Sequence, residues 1–167
     1  MDAIVNVTQS WGIGSENRLL VSIPEDLKRF RALTTGKTVI LGRKTLETFP
    51  GGKPLKNRRN LVLSADLSFR PEGAEVFRSE AELRALLRTL DQELLCVIGG
   101  ESIYRMLLPC CRRAFVTKTF CDIPADRFFP NLDELPGWRL SQSSEMRKSD
   151  GLFFQYLDYV NEAPAAL

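Results

Sequence analysis

The segment "LCVIGGESIY" (residues 95–104) passes from a continuous apolar run, through two adjacent glycines, into a helical pattern. A run that is apolar at successive positions is typical of a parallel strand buried on both faces of its sheet. The segment "TVILGRKT" (38–45) repeats this order of strand, glycine and helix start. Because ligands of open α/β sheets collect at the carboxyl ends of the strands, we expect both turns at one ligand-binding edge.

Strand and helix patterns alternate along most of the chain. Strands are predicted at residues 3–7, 38–41, 60–64, 95–99 and 114–120, and helices at 24–33, 44–49, 79–90 and 101–108. Ser79 followed by Glu82 forms a capping-box pattern at the start of the third helix. The segment "GLFFQYLDYV" (151–160) predicts a long strand without a crossover helix, antiparallel at an edge. The order indicates an α/β protein whose mainly parallel sheet is covered on both faces.

The composition is that of an ordinary globular protein, with 44% hydrophobic and 26% charged residues among 167. We expect one domain over residues 1–162 and a flexible tail over 163–167. The net charge of +2, from scattered basic residues, argues against a nucleic-acid surface. No apolar run approaches the length of a membrane span, and the first residues show no signal-peptide pattern.

The chain contains four cysteines in no metal-binding spacing, and it contains no histidine. Unpaired thiols are typical of a reducing compartment, so we expect a cytoplasmic protein without a metal site. The absence of histidine excludes a Ser-His or Cys-His nucleophile and leaves acid–base chemistry to Asp, Glu, Lys, Tyr or a positioned water. No exposed apolar stripe is evident, so a monomer is expected.

Asp26 has an unusual position in the helix that Pro24 is predicted to open. At about 100° per residue it falls between Phe30 and Leu33 on the apolar face, whereas Glu25 falls on the opposite side. A surface acid that interacts with the helix dipole is the alternative interpretation. If Asp26 is buried without a protein cation, it needs a ligand, and a flat, amidine-like N–H pair suits a carboxylate.

The two glycine turns favour an anionic ligand. Gly42 ends one strand, and the next helix starts with two cations and a hydroxyl at residues 43–45. Helix amides and cations attract an anion there, although a solvated helix start is an equal alternative. The glycine pair at 99–100 permits a close backbone approach but lacks the usual dinucleotide-binding fingerprint. Ser64 adds a hydroxyl at a third strand end.

Five segments together resemble the dihydrofolate reductase family: "IGSENRLLVSIPEDLKRF", "VILGRKTLETF", "KNRRNLVLS", "CVIGGESIY" and "VTKTF". They occur in the family's order and approximate spacing, and the resemblance covers nearly the whole chain. It implies a three-layer α/β/α fold with a mostly parallel sheet of about eight strands, an antiparallel C-terminal edge strand and about four helices. It also implies reduction of dihydrofolate to tetrahydrofolate by hydride transfer from NADPH.

The resemblance assigns residues to the substrate. Asp26 matches the acid that holds the pterin's 2-amino group and N3 and promotes protonation at N5, and Thr117 matches the threonine that supports this acid. Arg58 matches the arginine that clamps the substrate's α-carboxylate, and Ile4 and Ile98 match backbone carbonyls that bind the pterin's exocyclic amino group. Asp26 and Thr117 are the catalytic residues of the implied substrate set, which comprises Ile4, Val5, Asp26, Leu27, Phe30, Phe49, Leu55, Arg58, Ile98 and Thr117.

The resemblance also assigns residues to NADPH. Residues 42–45 and Ser64 would hold its phosphates, the pair 99–100 would be joined by a cis peptide bond beside the pyrophosphate, and Gly14 and Asn17 would belong to a mobile loop over the nicotinamide. The implied cofactor set is Asn6, Ile13, Gly14, Asn17, Leu19, Gly42, Arg43, Lys44, Thr45, Leu63, Ser64, Arg78, Gly99, Gly100, Glu101, Ser102, Ile103 and Tyr104.

Three departures from the family pattern stand out. Leu20-Val21 replaces the usual Pro-Trp, which removes an indole that helps to hold a water near Asp26, so slower or differently hydrated proton delivery is expected. Asn6 stands where a small alanine is usual, close to the expected nicotinamide contact. Asp66 is expected to repel a 2′-phosphate, and Arg78 to offset that repulsion.

Two other functions remain as alternatives. One is the pyrimidine reductase of riboflavin biosynthesis, which has a related fold, although Asp26 together with Arg58 argues against it. The other is a non-catalytic nucleotide-binding protein on the same fold, for which Asn6 and Leu20-Val21 are the support.

Overall fold

A large twisted sheet forms the centre of the computed structural model, which describes residues 1–167. In chain order the strands are β1 (Asp2–Thr8), β2 (Gly12–Ser15), β3 (Arg18–Leu19), β4 (Thr38–Gly42), β5 (Arg59–Leu63), β6 (Glu75–Phe77), β7 (Leu95–Gly99), β8 (Arg113–Phe120), β9 (Arg127–Phe128), β10 (Trp138–Ser143), β11 (Arg147–Ser149) and β12 (Leu152–Asn161). The helices are α1 (Pro24–Thr34), α2 (Arg43–Glu47), α3 (Glu80–Leu87) and α4 (Glu101–Leu107). None of them is long and apolar enough to cross a membrane.

Eight strands of the main sheet lie side by side in the order β10-β12-β8-β1-β7-β4-β5-β6. The strands from β8 to β6 pair in parallel, whereas β12 runs antiparallel to β8. The predicted fold class, including the antiparallel C-terminal strand, is therefore confirmed. β10 and β11, which sequence patterns do not reveal, pair with the outer side of β12.

Side chains of the central strands pack alternately on the two faces of the sheet. On β7, Leu95 and Val97 belong to the larger buried cluster, whereas Cys96 and Ile98 belong to the smaller one. The larger cluster includes buried side chains of α3 and α4, and the smaller one packs with residues of α1 and α2. Because successive strand residues point to opposite faces, a run apolar at every position requires helices on both sides.

The helix boundaries follow from local chemistry. Pro24 is the first residue of α1, where its fixed φ suits a helix and its missing N–H costs nothing. The hydroxyl of Ser79 accepts a hydrogen bond from the amide of Glu82 at 3.2 Å and caps α3. Helix α2 ends at Glu47 instead of residue 49, because the amides of Thr48 and Phe49 make three-residue turns just before Pro50.

A second, three-stranded sheet in the order β3-β2-β9 was not predicted. Its strands have two to four residues, too few for an alternating pattern to be visible. The sheet fixes the hairpin of residues 12–19 beside the ligand-binding edge. Asp126 holds it twice: its amide donates to the carbonyl of Gly14, and its carboxylate accepts from the amide of Glu16, each at 3.0 Å.

The last five residues contact the body of the protein. The amide of Ala165 donates to the carbonyl of Pro109 at 2.9 Å, and Nε of Arg88 donates to the carbonyl of Leu167 at 2.8 Å. The side chain of Leu167 is partly buried against the larger core cluster. No pattern in the sequence indicates these contacts.

Candidate active site

A single cleft of about 1270 Å³ lies at the carboxyl ends of the central parallel strands. It is lined by every residue that the sequence analysis assigned to a substrate or cofactor. The elements that bring these residues together are the ends of β1, β4, β5 and β7, the first turns of α1, α2 and α4, and the β2–β3 hairpin. The convergence follows from parallel pairing, which places these strand ends at one edge.

The carboxylate of Asp26 is half-buried at one end of this cleft and accepts two side-chain hydrogen bonds. Thr117 donates through Oγ1 to Oδ1 of Asp26 at 2.5 Å, and Asn6 donates through Nδ2 to Oδ2 at 3.0 Å. Burial raises the pKa of Asp26 above its usual value, while the two hydrogen bonds oppose this shift because they favour the charged form. The net effect is a raised pKa, so Asp26 binds a proton more tightly in the cleft than an exposed aspartate does.

Asp26 lies on the inner side of α1 and has partners on the sheet. Its position on the inner side of α1 agrees with the structure, where Ile23 is buried and Phe30 half-buried. β1 and β8 present Asn6 and Thr117 to the carboxylate; the resemblance implied Thr117 there, whereas Asn6 was not expected as a partner of Asp26. A calculation on one helix cannot include side chains of strands that are distant in sequence.

Glu25, the neighbouring acid, lies on the other side of α1. Its carboxylate pairs with Arg147 of β11 at 2.5 Å, and Arg29 of the same helix pairs with Asp158 of β12 at 3.1 Å. These ion pairs join the outer face of α1 to the antiparallel end of the sheet. The rotation of the helix follows from its apolar side, where Ile23 is buried and Phe30 packs against the core, and the ion pairs agree with that rotation.

Arg58 lies at the opposite end of the same side of the cleft, held in one orientation. Its Nε donates to the carbonyl of Lys56 at 2.8 Å, and its Nη1 donates to Oγ1 of Thr34 at 3.0 Å. Burial lowers the pKa of Arg58 from its usual value, and the charge of Arg31, another cleft residue, lowers it further. Since a guanidinium has five N–H donors, three remain for a carboxylate.

The carbonyl of Ile4 has a partner within the protein. Tyr104 donates to it through its hydroxyl at 2.6 Å, from a fully buried ring. Burial also raises the pKa of Tyr104, so its hydroxyl stays protonated at neutral pH. A carbonyl has two lone pairs, so one remains for a ligand beside Ile98, which lines the same wall.

The two glycine turns face each other across the middle of the cleft. The peptide bond between Gly99 and Gly100 is cis. A Cβ atom on Gly100 would lie 3.2 Å from Oγ1 of Thr45, and one on Gly42 would lie 3.4 Å from Cγ1 of Ile103. The approach is therefore tight at Gly100, where Thr45 would have to move for a larger residue, whereas a Cβ atom on Gly42 would make an ordinary contact.

This cradle fits a dinucleotide that carries phosphates. The first turns of α2 and α4, whose backbone amides lack partners within their helices, line it together with Arg43 and Lys44. Arg43 also pairs with Glu47 at 2.9 Å. Because this pair is exposed and therefore weak, a phosphate can replace Glu47 as the partner of Arg43. The donor set thus matches pyrophosphate and a further phosphate group.

Arg78 and Asp66 are arranged differently from the expectation. The guanidinium of Arg78 donates to the carbonyls of Ser64, Asp66 and Phe69, so it holds the main chain after β5 together. The carboxylate of Asp66 accepts from Oγ and the amide of Ser68, and these bonds lower the pKa of Asp66. Asp66 therefore stays charged, and Arg78 offsets it by position without a direct ion pair.

Apart from Thr117, the polar partners that orient Asp26 and Arg58 were not predicted from the sequence. Asn6 was assigned only to the cofactor side, and neither Thr34 nor Thr119 was singled out. A signal for the partners of Asp26 was present in β1, where the polar residues Asn6 and Thr8 alternate with apolar ones. Such alternation on a central strand indicates a polar patch beneath the helix that covers it.

The fold and the cleft define a class of α/β protein in which a half-buried carboxylate and two glycine turns line one cleft at the carboxyl ends of parallel strands. A family model described as dihydrofolate reductase matches residues 1–161. The dihydrofolate reductase of Neisseria gonorrhoeae is 34% identical over 151 residues, covering 90% of this chain and 91% of that protein. The dihydrofolate reductase of Mycobacterium leprae is 46% identical over 107 residues, which are 64% of either chain.

A solved structure agrees with these matches. Dihydrofolate reductase from Enterococcus faecalis, complexed with NADP(H) and RAB-propyl, superimposes with a TM-score of 0.83. The match has 29% sequence identity and covers 95% of this chain and 94% of that one. The chain belongs to the dihydrofolate reductase family. It is an NADPH-dependent oxidoreductase that reduces dihydrofolate to tetrahydrofolate, and the two alternative functions are not favoured.

Proposed function

We propose that Asp26 is the acidic group that this chain uses in the reduction of dihydrofolate. The observation that carries the proposal is the half-buried carboxylate of Asp26, held by Thr117 and Asn6 within the cleft. Each carboxylate oxygen accepts one protein hydrogen bond and keeps a lone pair for the N–H pair formed by the pterin's 2-amino group and N3. NADPH, when bound, supplies the hydride. The charge of Asp26 favours protonation of N5, with a water completing the proton path.

The remaining residues of the substrate set bind dihydrofolate and orient it in the cleft. Arg58 pairs with the substrate's α-carboxylate through its three free donors, and the hydrogen bonds to Thr34 and Lys56 keep it in place before the substrate arrives. Ile4 and Ile98 form the wall of the cleft beside the pterin. The apolar side chains that pack on the rings are Val5, Leu27, Phe30, Phe49 and Leu55. Leu27 is 53% exposed in the open cleft, so ring binding buries apolar surface there.

The proposed cofactor site is the cradle between the glycine turns. Residues 42–45 and 99–104 would hold its phosphates, and Ser64 with Arg43 would bind the 2′-phosphate. Leu63 and Arg78 would form the wall at the adenine end. There Arg78 donates to main-chain carbonyls and so holds the segment after β5 in place. The nicotinamide end is closed by Asn6, Ile13, Gly14, Asn17 and Leu19.

We further propose a cytoplasmic monomer without a nucleic-acid partner, made of one domain over residues 1–162. All four cysteines are free, which suits a reducing compartment. The net charge of +2 gives no basic field to attract a polyanion. Light scattering during size-exclusion chromatography tests the monomer, and a stable dimer mass would contradict it.

The proposed role of Asp26 is tested by following NADPH absorbance with dihydrofolate as substrate. The wild-type chain is expected to turn over, and Asp26→Asn is expected to lose most activity at neutral pH. Its kcat should recover towards acid pH, where solvent supplies the proton to N5. Full activity of Asp26→Asn at neutral pH would refute the proposed role without affecting membership of the family.

A further inference from the structure

Four side chains form a hydrogen-bonded chain beneath α1. Thr119 donates through Oγ1 to Oδ1 of Asn6 at 3.0 Å, Asn6 donates through Nδ2 to Asp26 at 3.0 Å, and Thr117 donates to the other oxygen of Asp26. The parallel pairing of β1 with β8 sets Asn6 opposite Thr117 and Thr8 opposite Thr119. The chain therefore depends on the register of two central strands, which a buried sheet holds firmly.

The direction of the Asn6 amide follows from its neighbours. An ionised carboxylate has only acceptors, so the amide nitrogen of Asn6 must face Asp26 and the amide oxygen must face away. The hydroxyl of Thr119, which is fully buried, satisfies that oxygen. If Asp26 were neutral, its proton would compete with the amide N–H groups. The arrangement therefore favours the charged form of Asp26.

We propose that Asn6 is a positioning residue of this reaction, whose amide holds the Asp26 carboxylate charged and in one orientation. The inference rests on the role proposed for Asp26. Asn6 takes one lone pair of Oδ2, as Thr117 takes one of Oδ1, so the plane of the carboxylate is fixed from both sides. The two remaining lone pairs then point together into the cleft, where a flat N–H pair binds both at once.

Few charged groups surround Asp26 besides these polar partners. On α1 they are Arg29, which favours the charged carboxylate, and Glu25, which opposes it. From β12, Tyr156 faces this group with a hydroxyl that has no partner, and Arg147 of β11 lies over its ring. From β1 and β8 the facing side chains are Asn6, Thr117 and Thr119, which do not titrate. Burial raises the pKa of Asp26, so loss of a donor leaves less to oppose it.

The test is the titration of Asp26 in Asn6→Ala, followed by carbon-13 NMR of aspartate carboxyls and assigned by the signal lost in Asp26→Asn. The midpoint is expected to rise by about one pH unit, because a hydrogen bond to a charged group has been removed. In Asn6→Asp, which keeps the shape, a second carboxylate lies beside the first and the shift should be larger. Thr119→Val removes only the hydroxyl that donates to the amide oxygen of Asn6, so it should shift the Asp26 midpoint less than Asn6→Ala does. Ser10→Ala, on the exposed loop after β1, is the matched control and should leave it unchanged.

The kinetic counterpart is the pH dependence of hydride transfer in single turnovers. Its midpoint should move with the NMR midpoint in the same variants, whereas a merely structural role of Asn6 would lower the rate equally at every pH. Unchanged NMR midpoints in Asn6→Ala and Asn6→Asp would overturn the inference, and thermal unfolding shows whether either variant is folded. NMR midpoints that move while kinetic midpoints stay fixed would instead refute the proposed role of Asp26.

Discussion

Thr117 donates a hydrogen bond of 2.5 Å to Asp26, across 91 positions of sequence. The donor lies in a central strand and the acceptor in the first turn of the helix that covers it. The contact therefore exists only when α1 is docked on the sheet in one rotation. Burial of Ile23 on the inner side favours that rotation, and the ion pairs of Glu25 with Arg147 and of Arg29 with Asp158 lie on the other side of the helix.

Removing the hydroxyl in Thr117→Val is expected to lower kcat/KM for dihydrofolate by roughly 10- to 100-fold, as for the loss of a hydrogen bond to a charged group. Thr117→Ser, which keeps the hydroxyl, should retain most of the activity. Steady-state kinetics across pH measure both variants. Equal losses in the two would show that the methyl group matters and the hydrogen bond does not.

Arg58→Leu is expected to raise the KM for dihydrofolate by about 10- to 100-fold while kcat changes little, since the lost contact is made equally before and during the reaction. The KM of Arg58→Lys should lie between those of the wild type and Arg58→Leu, because an ammonium keeps the charge but cannot form the bidentate pair. The adjacent Arg59 provides the control: it pairs with Glu75 at 2.7 Å on the exposed side, and Arg59→Leu should leave the KM unchanged. An unaltered KM in Arg58→Leu would show that the substrate carboxylate binds elsewhere.

Asp66→Asn is expected to strengthen NADPH binding by roughly two- to threefold at low salt, because a negative charge near the proposed 2′-phosphate position is removed. The pKa of Asp66 is lowered by its bonds to Ser68, so the wild-type carboxylate is charged throughout the neutral range. Binding of NADH, which lacks that phosphate, serves as the internal control. A gain for both nucleotides, or a gain that persists in high salt, would argue against the electrostatic explanation.

The stability of the protein should depend on pH through Asp26. Its pKa is raised in the folded state, so the folded protein binds this proton more tightly and folding stability falls as pH rises from about 3.8 through the folded value. Asp26→Asn removes this titration, so its effect on Tm is expected to be more favourable at neutral pH than near pH 3. Thermal unfolding at both pH values measures the difference. Glu25→Gln, which loses an exposed ion pair instead, should show no such gain.

Much of the fold was predictable because its strands are buried on both faces. The apolar runs from β1 to β8 and the amphipathic helices between them predict a covered parallel sheet, and the strand ends then converge by geometry. The β2–β3–β9 sheet and strands β10 and β11 were not predictable, because they are short, exposed or paired with remote segments. Pairing of this kind depends on partners that a local pattern does not contain.

The sequence by itself determined which residue types are available to the site: one acid on the inner side of α1, an arginine before β5 and two glycine turns after buried strands. Family resemblance then assigned them to substrate and cofactor. Only the tertiary structure decided how each is held. Asn6 and Thr117 meet Asp26, Thr34 orients Arg58, and Arg78 binds carbonyls. The reason is physical: a hydrogen bond requires two groups within about 3 Å in a defined direction, and these pairs come from separate segments whose relative placement only the packed fold sets.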